Sequence, residues 1–219
     1  MIRIENLSKT YRTKAGPHPV FRNLTLEIPT GAGLAILGRN GAGKTTLVNI
    51  IGGAANADSG SIFCDARISW PVGLAGGFQP SLTAHDNVKF VARLYSEKSE
   101  IPRIVQYVRE FAEIGEYFDM PVRTYSSGMH SRVAFGLSMA FDFDYYLIDE
   151  VTSVGDPQFR SKCDAALEEK RERGAGFIVV SHQMEIVRRF CKVAVVLSSQ
   201  GGRFYEDIEE AIQAYQNNG

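Results

Sequence analysis

The sequence is short of cysteine, of long apolar runs and of any surplus of one charge, and each shortage removes a class of protein. The three cysteines, Cys64, Cys163 and Cys191, are widely spaced and form neither a CxxC pair nor a metal-like pattern with histidine. A disulfide scaffold is thereby excluded, and reduced thiols of a cytosolic protein are expected. Lys and Arg total 24 against 25 Asp and Glu, for a formal charge of −1, so the basic excess that holds nucleic-acid phosphates is missing and no nucleic-acid partner is expected. The opening MIRIENLSKTYR carries charges where a secretory leader needs apolar residues, and no segment offers the ~18 consecutive apolar residues of a spanning helix. The chain is expected neither to cross nor to enter a membrane by itself. What remains is a 219-residue chain, 44% hydrophobic, suited to one generous α/β domain.

Residue periodicity fills in that outline. Ile2 and Ile4 alternate with Arg3 and Glu5, and after a turn-rich stretch from Thr13 to Pro19 the segment Val20 to Ile28 returns to strand spacing, which predicts an antiparallel β layer. Gly33 to Leu37 reads as a buried strand running through GRNGAGKTT into a helix from Lys44 to about Ile51, and Ser61 to Cys64 as a short strand. Between about Ala84 and Asp119 the apolar residues Val88, Val91, Leu94, Ile104, Val108 and Phe111 fall at helical spacing, which predicts a helical insertion. A second α/β stretch follows: a helix from about Gly128 to Ala140, the strand Tyr145 to Ile148, a charged helix from Pro157 to Arg173 and the strand Phe177 to Val180. The end adds a helix near Met184, the strand Val193 to Leu197, a turn at Gln200-Gly201-Gly202 and a helix from Ile208 to Tyr215.

Two motifs carry the chemistry. Gly38-Arg39-Asn40-Gly41-Ala42-Gly43-Lys44-Thr45 satisfies GxxxxGK[ST] between a strand and a helix, the context of a P-loop. Glycines let the backbone wrap a phosphate, amides and a helix N-terminus oppose its charge, Lys44 reaches the β- and γ-phosphates, and the Thr45 hydroxyl suits Mg²⁺. Tyr145 to Ile148 then ends in Asp149-Glu150, two carboxylates at a strand tip, where α/β sheets place ligands. Asp149 is the candidate Mg²⁺ holder, and Glu150 is suited to orient or deprotonate the water that attacks the γ-phosphate.

With these residues in order, the chain resembles the nucleotide-binding domain of the ABC family over nearly its whole length. The implied fold is an ABC-type P-loop NTPase core, a mostly parallel sheet with flanking helices, plus an N-terminal antiparallel β layer. The core and β layer would take residues 1–83 and 142–219, and a helical subdomain about 84–141. The resemblance implies ATP and Mg²⁺ as ligands. ATP would be bound by Gly38, Asn40, Gly41, Ala42, Gly43, Lys44, Thr45 and Thr46, with adenine stacked on Tyr11. Gln79, in GGFQPSLT, resembles the Q-loop glutamine that contacts Mg²⁺ and water, and His182, in VVSHQ, the switch histidine at the γ-phosphate. Tyr125-Ser126-Ser127-Gly128-Met129 stands where the family has LSGGQ, a divergent copy that keeps the serine and one glycine. Ser126, Ser127, Gly128 and Met129 would contact the ATP of a second copy of the chain, although YSSGM also reads locally as a helix N-cap. Ser153-Val154-Gly155-Asp156 matches the D-loop, while Asp156 reads equally well as the residue before a helix begun by Pro157.

The segments from Ile68 to Gln79 and from Arg123 to Met129 are similar to those of ATP-binding subunits of capsular-polysaccharide exporters of Gram-negative bacteria. O-antigen and teichoic acid exporters are the neighbouring alternatives. The implied assembly is two copies of this chain with two integral membrane permease subunits on the cytoplasmic face of the inner membrane, reaching periplasmic and outer-membrane export components through the permease. An end at Gly219 leaves no room for a C-terminal carbohydrate-recognition domain, which favours the capsule type. Trp70, Phe78 and Leu82 would either touch the permease or serve as ordinary packing. A soluble ABC switch of translation or DNA repair is the reading from another class, disfavoured by a single cassette and near-neutral charge, and a metabolite kinase would not explain YSSGM, SVGD and His182 together.

Overall fold

The computed structural model describes residues 1–14, 16–73, 77–149, 156–198 and 201–217. In chain order the elements are β1 (Ile2–Thr13), β2 (Gly16–Ile28), β3 (Leu34–Gly38), α1 (Lys44–Ile51), β4 (Ser59–Cys64), β5 (Ile68–Pro71), α2 (Ala84–Tyr95), α3 (Ile101–Ala112), α4 (Ser127–Met139), β6 (Tyr145–Asp149), α5 (Pro157–Glu172), β7 (Gly176–Val180), α6 (Met184–Phe190), β8 (Val193–Ser198), β9 (Gly201–Tyr205) and α7 (Ile208–Asn217). They gather into two compact units, one of residues 1–69, 143–150 and 173–219, the other of residues 70–142 and 151–172.

In the first unit, β2, β1 and β4 form an antiparallel sheet, and a six-stranded sheet runs in the order β5-β6-β7-β3-β8-β9. β6, β7, β3 and β8 are parallel, and β9 closes the edge antiparallel to β8. The central strands are continuous apolar runs, as strands covered on both faces must be: Leu34 to Leu37 and Phe177 to Val180 are all buried. Ile4, Leu7, Phe21, Leu24 and Ile28 of the small sheet share one core with Ile36, Leu47, Ile178 and Val195. Each fully buried side chain of this kind contributes about 1.5–3 kcal/mol.

Two strands depart from the sequence reading. β2 begins at Gly16, so pairing with β1 runs through Pro17, His18 and Pro19, opposite Arg12, Tyr11 and Thr10. β2 lies at a sheet edge, where the amide that proline lacks is not needed. Gly201 and Gly202, read as a turn, open β9 opposite Ser198 and Leu197.

In the second unit, α2 is capped by Thr83, whose hydroxyl accepts the Asp86 amide at 3.0 Å and donates to the Asp86 carboxylate at 2.7 Å. α3 carries proline in its first turn and ends at Glu113 in the left-handed region. Phe111, Phe135 and Phe159 fill the space between α3, α4 and α5, with Phe111 and Phe135 stacked at 5.8 Å and Phe159 edge-on to Phe111 at 5.7 Å.

Candidate functional site

Three predicted residues stand at one edge of the parallel sheet. β3 ends at Gly38 and leads into the glycine loop, β6 ends at Asp149, and β7 ends at Val180, two residues before His182. Asp149 pairs with Val180, and Ala35 with Val179, so β6 and β7 end level while β3, ending at Gly38, runs further in the same direction. Since adjacent strands lie about 4.8 Å apart, β6 and β3 are separated by about 10 Å across the one intervening strand, β7. This C-terminal edge is where open α/β sheets receive ligands.

The loop is shaped by backbone that its neighbours dictate. Gly43, the N-cap of α1, sits at φ 97°, and a Cβ there would lie 1.9 Å from Val20 Cγ1; glycine is required both for the conformation and for the space. At the other end of the loop a Cβ on Gly38 would come within 2.7 Å of the Leu197 carbonyl oxygen. Ala42 N–H donates to Arg39 O at 3.1 Å, tightening the turn. Lys44 Nζ donates to the carbonyls of Gly38 at 2.8 Å and Arg39 at 3.2 Å, so its charge is held over the loop. α1 has no acidic residue in its first turn, leaving the amides and the positive end of the helix dipole unopposed toward an anion. Asn40, Gly41 and Thr45 are exposed, while Ala42 and Thr46 are partly covered.

Tyr11, on β1, reaches the same helix: its hydroxyl lies 3.4 Å from Thr46 Oγ1, and its ring, 43% exposed, has Lys9 Nζ 5.4 Å from its centroid. An accessible aromatic face with a cation on it can stack a base. A cavity of about 850 Å³ borders the loop, lined by Gly38, Arg39, Asn40, Gly41 and Ala42 on one side and by His18, Arg203 and Tyr215 among others on the rest. The oxygen donors of this unit, the Thr45 hydroxyl and the Asp149 carboxylate, are the hard type that Mg²⁺ takes, and the anion-ready loop suits the phosphates that usually complete its shell.

In the second unit, Ser126 is the N-cap of α4, accepting the Met129 amide at 3.2 Å. The first turn of α4, Ser127, Gly128, Met129 and His130, holds no acid, and burial lowers the His130 pKa below its ordinary value. Just before it, Tyr125 O–H donates to Tyr117 O at 2.7 Å, and Arg123 N–H to Pro80 O at 2.9 Å. Gln79 is exposed, but its backbone is clamped: its N–H donates to Asn87 Oδ1 at 2.7 Å, and Asn87 Nδ2 donates to the Gln79 and Thr83 carbonyls at 3.2 and 2.8 Å. Asp156 caps α5 by accepting the Phe159 amide at 3.0 Å and accepts from Arg132 Nη2 at 2.6 Å. Trp70 is committed to its own unit, its indole N–H donating to Ser138 Oγ at 2.9 Å and its ring edge-on to Tyr95 and Phe141. Leu82 is exposed and Phe78 half-buried. Glu150, Ser153, Val154 and Gly155 lie outside the described residues.

The model of the family described as ABC transporter matches residues 21–153, from β2 past the tip of β6. The chain belongs to the ABC transporter family. Polysialic acid transport ATP-binding protein KpsT of Escherichia coli is 55% identical to this cassette over 217 residues, covering 99% of each chain. ATP-binding protein BexA of Haemophilus influenzae is 43% identical over 215 residues, covering 98% of each. A dimeric ATP-binding cassette solved in a post-hydrolysis state with ADP and Pi matches with a TM-score of 0.78 at 24% identity, covering 94% of this chain and 98% of that one; that likeness shows the fold, an α/β cassette of the class the sequence implies.

Three further side chains of this ABC cassette went unread in the sequence. Asn87 lies in the first turn of α2, where an isolated asparagine looks like solvated surface, yet it is only 4% exposed. Arg132 binds Asp156 and stacks 4.2 Å over the Phe159 ring. Tyr215 meets His182 from the far end of the chain. A polar residue on an otherwise apolar helical stripe is the signal that finds the first; the other two depend on tertiary proximity.

Proposed function

We propose that this chain is the ATP-hydrolysing subunit that powers export of a capsular polysaccharide through an integral membrane permease. The observation that carries the cargo is the near full-length similarity to KpsT, named for polysialic acid transport. The loop amides and Lys44 grip the phosphates, Tyr11 stacks adenine, and Thr45, Gln79 and Asp149 would hold Mg²⁺, which would offset charge on the transferring phosphoryl group. Glu150 orients the attacking water and His182 donates to the γ-phosphate. Two copies form an ATP sandwich in which Ser126, Ser127, Gly128 and Met129 of one face the nucleotide of the other, with Asp156 at the crossing loop, and closure of that pair moves two permease subunits on the cytoplasmic face of the inner membrane.

Deleting the gene in its own host should leave lipid-linked polysaccharide inside the cell and strip the capsule. Normal surface glycan would defeat the proposal, and retention of O-antigen or teichoic acid instead would reassign the cargo. Mixing Lys44→Ala chains with Ser126→Ala chains should leave no more than one competent site per pair; two would dismiss the sandwich.

A further inference from the structure

The loop that carries His182 and the helix α6 that follows it are each tied to the C-terminal helix. α7 is started by Asp207, whose Oδ1 accepts the amides of Glu209 and Glu210 at 2.9 and 3.0 Å, and it is anchored by buried Ala211 and Ile212. Glu209 takes Arg188 of α6 in a paired contact, Nε to Oε1 at 2.7 Å and Nη2 to Oε2 at 3.0 Å. Further along α7, the Tyr215 hydroxyl lies 3.1 Å from His182 Nδ1, and the same tyrosine lines the cavity that borders the glycine loop.

An imidazole has two ring nitrogens, and the partner of one decides what the other can do. A neutral histidine can donate to a phosphate oxygen through Nε2 when Nδ1 is the bare, accepting nitrogen. A phenol is well suited to enforce this, because its hydroxyl can donate to Nδ1 and its rigid ring holds that donor on a packed helix.

We infer that Tyr215 is a positioning residue, whose hydroxyl donates to His182 Nδ1 and thereby keeps the proton on Nε2 and aims it at the γ-phosphate. The inference rests on the reading of His182 as the residue that meets that phosphate. It also makes α7 part of the hydrolytic apparatus: whatever shifts this helix shifts the tautomer of His182.

Tyr215→Phe removes one oxygen and keeps the packing. In the full-length chain with Mg·ATP it should lower kcat about fivefold to tenfold, the worth of one well-made hydrogen bond, with KM for ATP within about twofold. The ¹⁵N shifts of the His182 ring, recorded without nucleotide, should move from a single Nε2–H tautomer toward a mixture. In a His182→Ala background the tyrosine change should cost nothing more. Unmoved ring shifts together with an unchanged kcat would overturn the inference, as would an equal further loss in that background. Full turnover by His182→Ala would remove the histidine from the reaction and Tyr215 with it, a failure recognisable because the ring shifts would still respond to Tyr215→Phe.

Discussion

The two units of this chain hold their chemistry in different ways. In the sheet unit the residues that matter follow strand ends whose positions are fixed by backbone pairing: Asp149 pairs with Val180, and the glycine loop continues β3. In the helical unit the corresponding residues are held by side chains, with Gln79 clamped by Asn87, Asp156 by Arg132, and Ser126 acting as its own helix cap. Backbone order spreads a load over many hydrogen bonds, whereas a single buried amide group concentrates it. The sheet unit should therefore lose function without losing structure when a site residue is changed, and the helical unit should lose both together.

The sharpest contrast comes from Lys44→Ala, which should reduce ATP hydrolysis by at least about 100-fold, the cost of removing one charge-stabilising group, while far-UV circular dichroism and the urea midpoint stay near those of the parent. An equal collapse in stability would break the comparison. Asn87→Ala, on the other side, leaves the Gln79 amide and carbonyl without their partner in a half-buried setting, and should cost about 1–3 kcal/mol in urea unfolding with a milder effect on nucleotide affinity. A change within error would mean that water replaces the asparagine freely.

A smaller effect is expected on acidification. Glu113 is held below the usual carboxylate range by Lys162, Asp119 by Arg109, and Asp156 by the Phe159 amide and then Arg132. Because the folded values lie below the unfolded ones, this stabilisation is complete above about pH 4 to 5 and is lost as pH falls through the folded values. Tm should decline from pH 5 to 3, and the decline should be shallower in Arg132→Ala; parallel curves would exclude the Arg132 pairs as its source. The smallest perturbation is thiol labelling. Burial pushes the Cys163 thiol up to about 12 and Cys191 higher still, whereas Cys64 is exposed. Native protein at pH 7.5 should take one equivalent of maleimide quickly, at Cys64, and mass spectrometry that finds rapid modification at Cys163 would show the helical unit opening readily.

The same division governs what could be read from sequence. The glycine loop, the acidic strand end and most regular elements are local patterns, so GRNGAGKTT and YYLID disclose a strand, a loop and a helix, and a strand ending on a carboxylate. β5 is four residues long and includes a proline, and β9 opens with two glycines. Local propensity disfavours both strands, and only their pairing across the sheet explains them. Asn87 reads as surface because its partners, the backbone groups of Gln79 and Thr83, carry no signal of their own. Tyr215 and His182 are separated by 33 residues, and no periodicity announces a contact made by the meeting of a loop and a terminal helix.

The oxygen of Ser126 receives the Met129 amide, and its own hydrogen remains to be given elsewhere. Aspartate would start α4 as well as serine does, yet it would bring a full negative charge to a helix end that favours anions. Folding alone accepts several residue types at this position, but the proposed contact with a second copy's nucleotide adds the demand for an uncharged donor, and the two together narrow the alphabet to serine, threonine and asparagine. A library randomised at position 126 and sorted first for expression, then for nucleotide turnover, should keep aspartate in the first pool and discard it from the second.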